Sequence, residues 1–259
     1  MIQAFKKSRF GFNAVIAISI AIAAAIWSRD KDYPVFVPII ASVLTLAIGY
    51  IAARLLGNIL AASENTRHLG YLHMELDPKK FIAGYQDIPG RMKGESNIAI
   101  SRSYLADGYA AAGDYETAIS LLADPPVDNL AVQGLYAANR AGFYLALENT
   151  DSAESSLLRL EEIINACRLD KTALANNLTE MLSLHKQHLA CLQNKAVDVD
   201  VLESAFVRAQ YNLRRLEIAK VLALTAIRSG DTDAKKKHLS YLRKNGGKTV
   251  YKHWADNRS

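Results

Sequence analysis

Two uncharged apolar runs, separated only by SRDKD, constrain this chain more than any other feature. The first, FGFNAVIAISIAIAAAIW, covers Phe10 to Trp27, and the second, YPVFVPIIASVLTLAIGYIAA, covers Tyr33 to Ala53. They hold 18 and 21 residues. As helices they would be about 27 and 31 Å long, close to the hydrocarbon thickness of a bilayer. A helical hairpin through a lipid bilayer at residues 10–53 is therefore expected. Trp27 and Tyr33 stand where interfacial aromatics belong. Pro38 falls in the first turns of the second helix, where a missing N–H costs least.

A cleaved signal peptide is the competing reading of the first run, with KKSR as its basic start and AAA as its cleavage site. The run is longer than the usual apolar region of such a peptide, and an equally long run follows at once, so the hairpin is favoured. Lys6, Lys7 and Arg9 precede the first run, Arg29 and Lys31 lie between the two, and Arg54 and Arg67 follow the second. The outer flanks carry the excess of basic residues. This predicts a two-pass protein of the cell membrane with both termini in the cytoplasm. Two cysteines in 259 residues, Cys167 and Cys191, fit a reducing compartment and read as small core residues on helices.

Beyond residue 62 the pattern is helical almost throughout. NILAASENTRHLGYLHMEL continues the second apolar helix outward. DPKKF starts a new helix, with Asp77 as its N-cap, Pro78 at the first position and Phe81 on the buried face. QDIPGRMKGES is a loop. The expected division is an anchor at 1–62, a helical domain at 63–245 and a basic tail at 246–259.

Inside the helical domain one phrase recurs. AAAGDYETAISLL, residues 110–122, is echoed by LENTDSAESSLL from Leu147 and by RSGDTDAKKKHL from Arg228. In the first copy, Leu105, Ala106 and Tyr109 share a face of one helix, and Ala118, Ile119 and Leu122 face them from the next. Gly113 suits a left-handed cap, Asp114 suits the following N-cap, and Pro125-Pro126 stops the second helix. The stretch resembles a tetratricopeptide repeat, through Leu105-Ala106, Tyr109, Gly113-Asp114-Tyr115, Ala118 and Leu122. Ala106 stands in place of the usual Gly, and Leu130 in place of the closing Pro. The second copy aligns through Ala141, Tyr144, Asn149, Ala153 and Leu157. The third aligns through Ala223, Gly230, Asp231 and Leu239, with Lys235 where Ala is expected. The interval between the last two copies leaves room for one more hairpin, from LDKTALANNLTEMLSLHKQHLACLQN and VDVLESAFVRAQYN. The resemblance implies an all-α fold, a transmembrane hairpin followed by an α-solenoid of stacked helical hairpins. About ten helices should follow the membrane.

The resemblance also implies a membrane-anchored adaptor or scaffold that binds a protein partner in a concave groove. The corresponding groove positions are Ile100, Ser103, Asp107, Ala110, Leu135, Ala138, Gly142 and Leu145. No basic clamp occupies them; the groove reads as small, apolar and slightly acidic.

Catalytic motifs are absent. There is no Gly-rich phosphate loop, H-E-x-x-H, G-x-S-x-G or paired C-x-x-C. No enzyme activity, cofactor or metal is expected. One alternative is a metal-binding protein or enzyme using His185, His188 and Cys191, whose spacing of three keeps them near one helix face. Another is a purely structural membrane-assembly protein packed through Ser19, Ala21, Ala23, Ala24 and Ala25. Glu161, Glu162 and Asp170 read as a solvated face, and most of Tyr104, Tyr109, Tyr115, Tyr136 and Tyr144 as core.

Charge is segregated. Residues 101–200 carry 7 basic and 14 acidic side chains, and residues 201–259 carry 13 and 5. Lys235, Lys236, Lys237, Arg243, Lys244, Lys248 and Lys252 lie among Tyr241, Tyr251 and Trp254. Interleaved cations and aromatics suit an anionic lipid surface or an acidic partner, with a plain solvated face as the alternative; nucleic acid is the least favoured reading. KTVYKHW is expected as a short edge strand or a loose tail after Gly246-Gly247 breaks the last long helix.

Overall fold

The computed structural model describes residues 2–29, 34, 36–123, 125, 129–167 and 172–258. Lys31, Tyr33, Pro126 and Asp170 lie outside them, as do the side chains of Lys6, Lys7 and Arg9. Among the described residues the chain is all-helical, with twelve α-helices, one 3-10 turn and no strand. It divides into two compact units, residues 1–68 and 69–259.

The first unit holds α1 (Ile2–Arg29) and most of α2 (Phe36–His73). Both helices are long and apolar enough to cross a membrane. The second runs from Phe36, with Pro38 in its first turn, and its 38 residues extend well beyond the second apolar run. The two helices pack antiparallel through small residues. Phe12 meets the Tyr50 ring edge-on, with centroids 6.2 Å apart. A Cβ on Gly49 would lie 1.9 Å from Ser19 Oγ, so only glycine admits this approach. Further along, Ser42 Oγ donates to the Ala23 carbonyl at 3.5 Å. Ser19 spends its own proton on the Val15 carbonyl, 2.8 Å away, so its hydroxyl is satisfied in an apolar setting.

The second unit opens with the end of α2 and α3 (Pro78–Tyr85). Asp77 caps α3 by accepting from the Lys80 N–H at 3.1 Å, and Pro78 takes the first position. A 3-10 turn, Pro89–Arg91, interrupts the following loop. Eight helices follow in pairs. They are α4 (Glu95–Ala112) with α5 (Tyr115–Ser120), α6 (Leu130–Ala146) with α7 (Thr150–Cys167), α8 (Thr172–Leu192) with α9 (Val199–Arg208), and α10 (Asn212–Ser229) with α11 (Thr232–Asn245). An Asp or Asn caps the second helix of every pair. Asp114, Asn149, Asp198 and Asp231 accept from the N–H groups of Thr117, Ser152, Val201 and Ala234 at 2.9–3.1 Å. Gly113 and Gly230 end the preceding helices at φ of 96° and 75°, a region glycine enters without strain.

Buried clusters link the pairs. Ala106, Ala118, Leu122 and Tyr136 join α4, α5 and α6. Ala141, Leu160, Ile163 and Leu178 join α6, α7 and α8. Leu184, Leu202, Ile218 and Leu222 join α8, α9 and α10. Each cluster shares a helix with the next, so no pair closes its apolar face alone. Ala106 and Ala118 are fully buried in the cluster that joins α4 and α5, and Cys167 and Cys191 are free, buried core residues.

KTVYKHW forms neither a strand nor a loose tail. It folds as a twelfth helix, α12 (Val250–Asp256), capped from behind by the Arg243 guanidinium, which donates to the Ala255 carbonyl at 2.9 and 3.2 Å. The alternation of apolar and polar residues suggested a strand, but the buried Ala255 and partly buried Val250, Tyr251 and Trp254 share a helical face. α12 packs against α11, α10 and α4. Successive contacts then run α4–α6–α8–α10–α12 and back to α4, a closed circuit of inner helices.

Candidate functional site

Each helix of that circuit sends polar side chains to the others. Asn139 of α6 donates from Nδ2 to Ser103 Oγ at 3.0 Å and to Asp107 Oδ1 at 2.7 Å, both on α4. Arg214 Nη1 donates to Glu217 Oε2 at 2.7 Å on α10. Burial holds the Asp107 carboxyl well above the usual carboxylate range; the nearby Glu217 adds to this and Arg214 opposes it. Tyr251 of α12 and Tyr115 of α5 are pushed up by burial first and by Glu217 second. His185 of α8 presses against Gly142 of α6, where a Cβ would come within 3.0 Å of its ring. Burial first, and then Arg214, push this imidazole down to about 3, against a hydrogen bond with the Ala138 backbone. The interior is thus polar, mostly uncharged, and held by residues from six helices.

One helical turn along, its character becomes basic. Lys220 of α10 is 8% exposed, with Nζ 5.6 Å from the Trp254 ring centroid. Arg258 stacks on the same ring at 4.1 Å. His188 of α8 is equally buried, and its Nε2 has no hydrogen-bond partner. Burial pushes its imidazole down to about 3, and the charges of Lys220 and Arg228 act in the same direction.

The eight groove positions separate. Ser103, Ala110, Ala138 and Leu145 are buried between helices, while Ile100, Asp107, Leu135 and Gly142 are half-buried. Asp107 and Gly142 belong to the polar interior just described. An open cleft lies elsewhere, where α8 and α9 diverge, lined by Asn176, Thr179, Ser183, Val201 and Arg208.

His185, His188 and Cys191 do not converge as ligands. Among the described residues no group of three His, Cys, Asp or Glu side chains could hold a metal ion. Cys191 Sγ is instead 3.6 Å from Thr225 Oγ1.

The basic end is in part engaged within the fold. Lys237 pairs with Glu203 at 2.7 Å and Lys248 with Asp77 at 2.5 Å. Arg243 caps α12, Lys235 and Lys252 are half-buried, and Lys236 and Lys244 are exposed. The aromatics turn inward: Tyr241 packs edge-on against Phe206 at 4.9 Å, and Trp254 lies between two cations.

The interior residues Arg214, Glu217 and Lys220 of α10 escape motif reading because the groups they face, such as Asn139 of α6, come from other helices. Lys220 alone carried a signal, as a single cation inside the apolar stretch IAKVLALTAI. No known protein family, curated protein or solved structure matches the chain.

Proposed function

We propose that this chain is a two-pass, membrane-anchored scaffold. Its soluble part is a tetratricopeptide-like solenoid of helical hairpins in the cytoplasm that holds a protein partner. The observation carrying the anchor is the unburied apolar surface of α1 and α2. Ile18, Ile20, Val43, Ile48, Ile51 and Ile59 are all more than half exposed. Helices apolar on all sides and unburied suit lipid, since water would charge about 25 cal/mol for each Å² of such surface. What supports a repeat unit is the recurrence of capped turns at Asp114, Asn149, Asp198 and Asp231, with neighbour-to-neighbour packing. The cationic surroundings of His188 favour a scaffold over a metal protein, because Lys220 and Arg228 would repel a metal ion.

The experiment is capture of the full-length protein in mild detergent, with identification of what co-purifies in fixed stoichiometry. A partner retained by a variant lacking residues 1–62 supports the scaffold. A partner lost with those residues assigns association to the membrane hairpin instead.

A further inference from the structure

Buried cations in folded proteins are paired, because removing an ammonium from water without a counter-charge is costly. Lys220 is buried as a residue without such a pairing. It is 8% exposed, and among the described residues its Nζ makes no hydrogen bond and no ion pair; the Trp254 ring is its one specific contact. Beside it, His188 buries an Nε2 that also lacks a partner. On packed helices, one ligand could meet both the unpaired Lys220 ammonium and the buried His188 Nε2.

The charges around them state its sign. Arg228 on α10 and Arg258 beyond α12 add positive charge, while His185 on α8 is neutral. The nearby carboxylate is Glu148, exposed at the turn between α6 and α7 and outside ion-pair distance of Nζ. The positive charge thus exceeds the negative charge in a poorly solvated place, and shape adds a roof in the indole of Trp254.

We propose that Lys220 and His188 bind one small oxyanion, a carboxylate or phosphate-type group, between α8 and α10 beneath Trp254. The Lys220 ammonium supplies the charge and His188 Nε2–H a directed donor. Arg258, stacked on the outer part of the site, supplies long-range attraction. Burial pulls the free amine down to about 8, Arg258 acts in the same direction and Glu148 opposes. An anion stabilises the ammonium, so affinity falls as pH rises through that value. This site goes beyond the scaffold reading and does not depend on it.

The test uses the full-length protein in detergent with Trp27→Phe, which leaves Trp254 as the one tryptophan of the original two. Sodium acetate and sodium phosphate are each titrated at constant ionic strength against sodium chloride. A saturable change in Trp254 emission is expected with at least one of them, weakened at least tenfold by Lys220→Met and severalfold by His188→Leu. Because Lys220→Met could also disturb the packing around Trp254, a second measurement uses the unmutated site. Acylation of Lys220 by a water-soluble reagent, read by mass spectrometry, should slow at least threefold under the saturating anion. A response equal to that of chloride, a response preserved in Lys220→Met, or an unprotected Lys220 overturns the proposal.

Discussion

Lys248 Nζ lies 2.5 Å from Asp77 Oδ2, so the residue that caps α3 is held by the segment that leads into α12. The backbone follows the same path, with Lys248 N–H donating to the Leu76 carbonyl at 2.9 Å. The helical unit is therefore tied between its first and last turns, 171 residues apart.

Gly247 tests that tie. Its φ is 56°, and a Cβ would lie 2.6 Å from Leu76 Cβ and 2.8 Å from the Leu76 carbonyl oxygen. Gly247→Ala should destabilise the helical unit by about 1–3 kcal/mol, from strain and overpacking together. Gly90→Ala, where a Cβ meets nothing within 4 Å, is the control and should stay near neutral. Thermal unfolding of the two variants checks this; equal midpoints would mean that the ends are not joined.

The two members of the ion pair should differ in weight. Lys248 is 71% exposed, so Lys248→Ala should cost less than about 1 kcal/mol. Asp77→Ala loses the cap to Lys80 N–H as well, and should cost about 1–2 kcal/mol. Denaturant midpoints should rank the variants in that order.

Ala118→Leu adds volume to a position with no exposed surface between α4 and α5. A loss of about 1–3 kcal/mol is expected. An unchanged melting temperature would mean that α5 can move away without cost.

Acid should weaken the fold through its buried histidines. His185 and His188 stay neutral down to about 3, while in the unfolded chain imidazoles take protons near 6.5. Between those values the unfolded state binds more protons. Their contribution is therefore full above about 6.5 and declines as pH falls toward 3, by up to about 1.4 kcal/mol per pH unit for each imidazole. Asp107, with its raised carboxyl, acts in the opposite direction. Comparing wild type with His185→Gln isolates the histidine part: the variant should show the flatter loss of stability between pH 6 and 4.

Much of the local structure is legible in short stretches of sequence. Asp77-Pro78 starts α3, Gly113-Asp114 turns α4 into α5, and the buried Ala118 falls where small residues were spaced to meet. These features depend on residues a few positions apart. The circuit from α12 to α4 does not, since it rests on pairs such as Lys248 with Asp77 that no local pattern joins. The same reason hid the polar interior. Asp107 was visible as a groove position, but its partner Asn139 is 32 residues away, and its electrostatic neighbours Arg214 and Glu217 lie farther still. The short strand or loose tail expected at KTVYKHW shows the limit of periodicity in seven residues: a helical face and an alternating face place Val250 and Trp254 almost alike.

Cysteine accessibility in intact cells tests the central reading most directly. Both native cysteines are buried, Cys167 at 1% and Cys191 at 2% exposure, so an introduced thiol dominates labelling. A membrane-impermeant maleimide should label Asp30→Cys from outside the cell, and should label Ser259→Cys only after the cells are opened. Labelling of Ser259→Cys in intact cells, or of neither site until the cells are opened, would contradict a two-pass anchor with its helical unit in the cytoplasm.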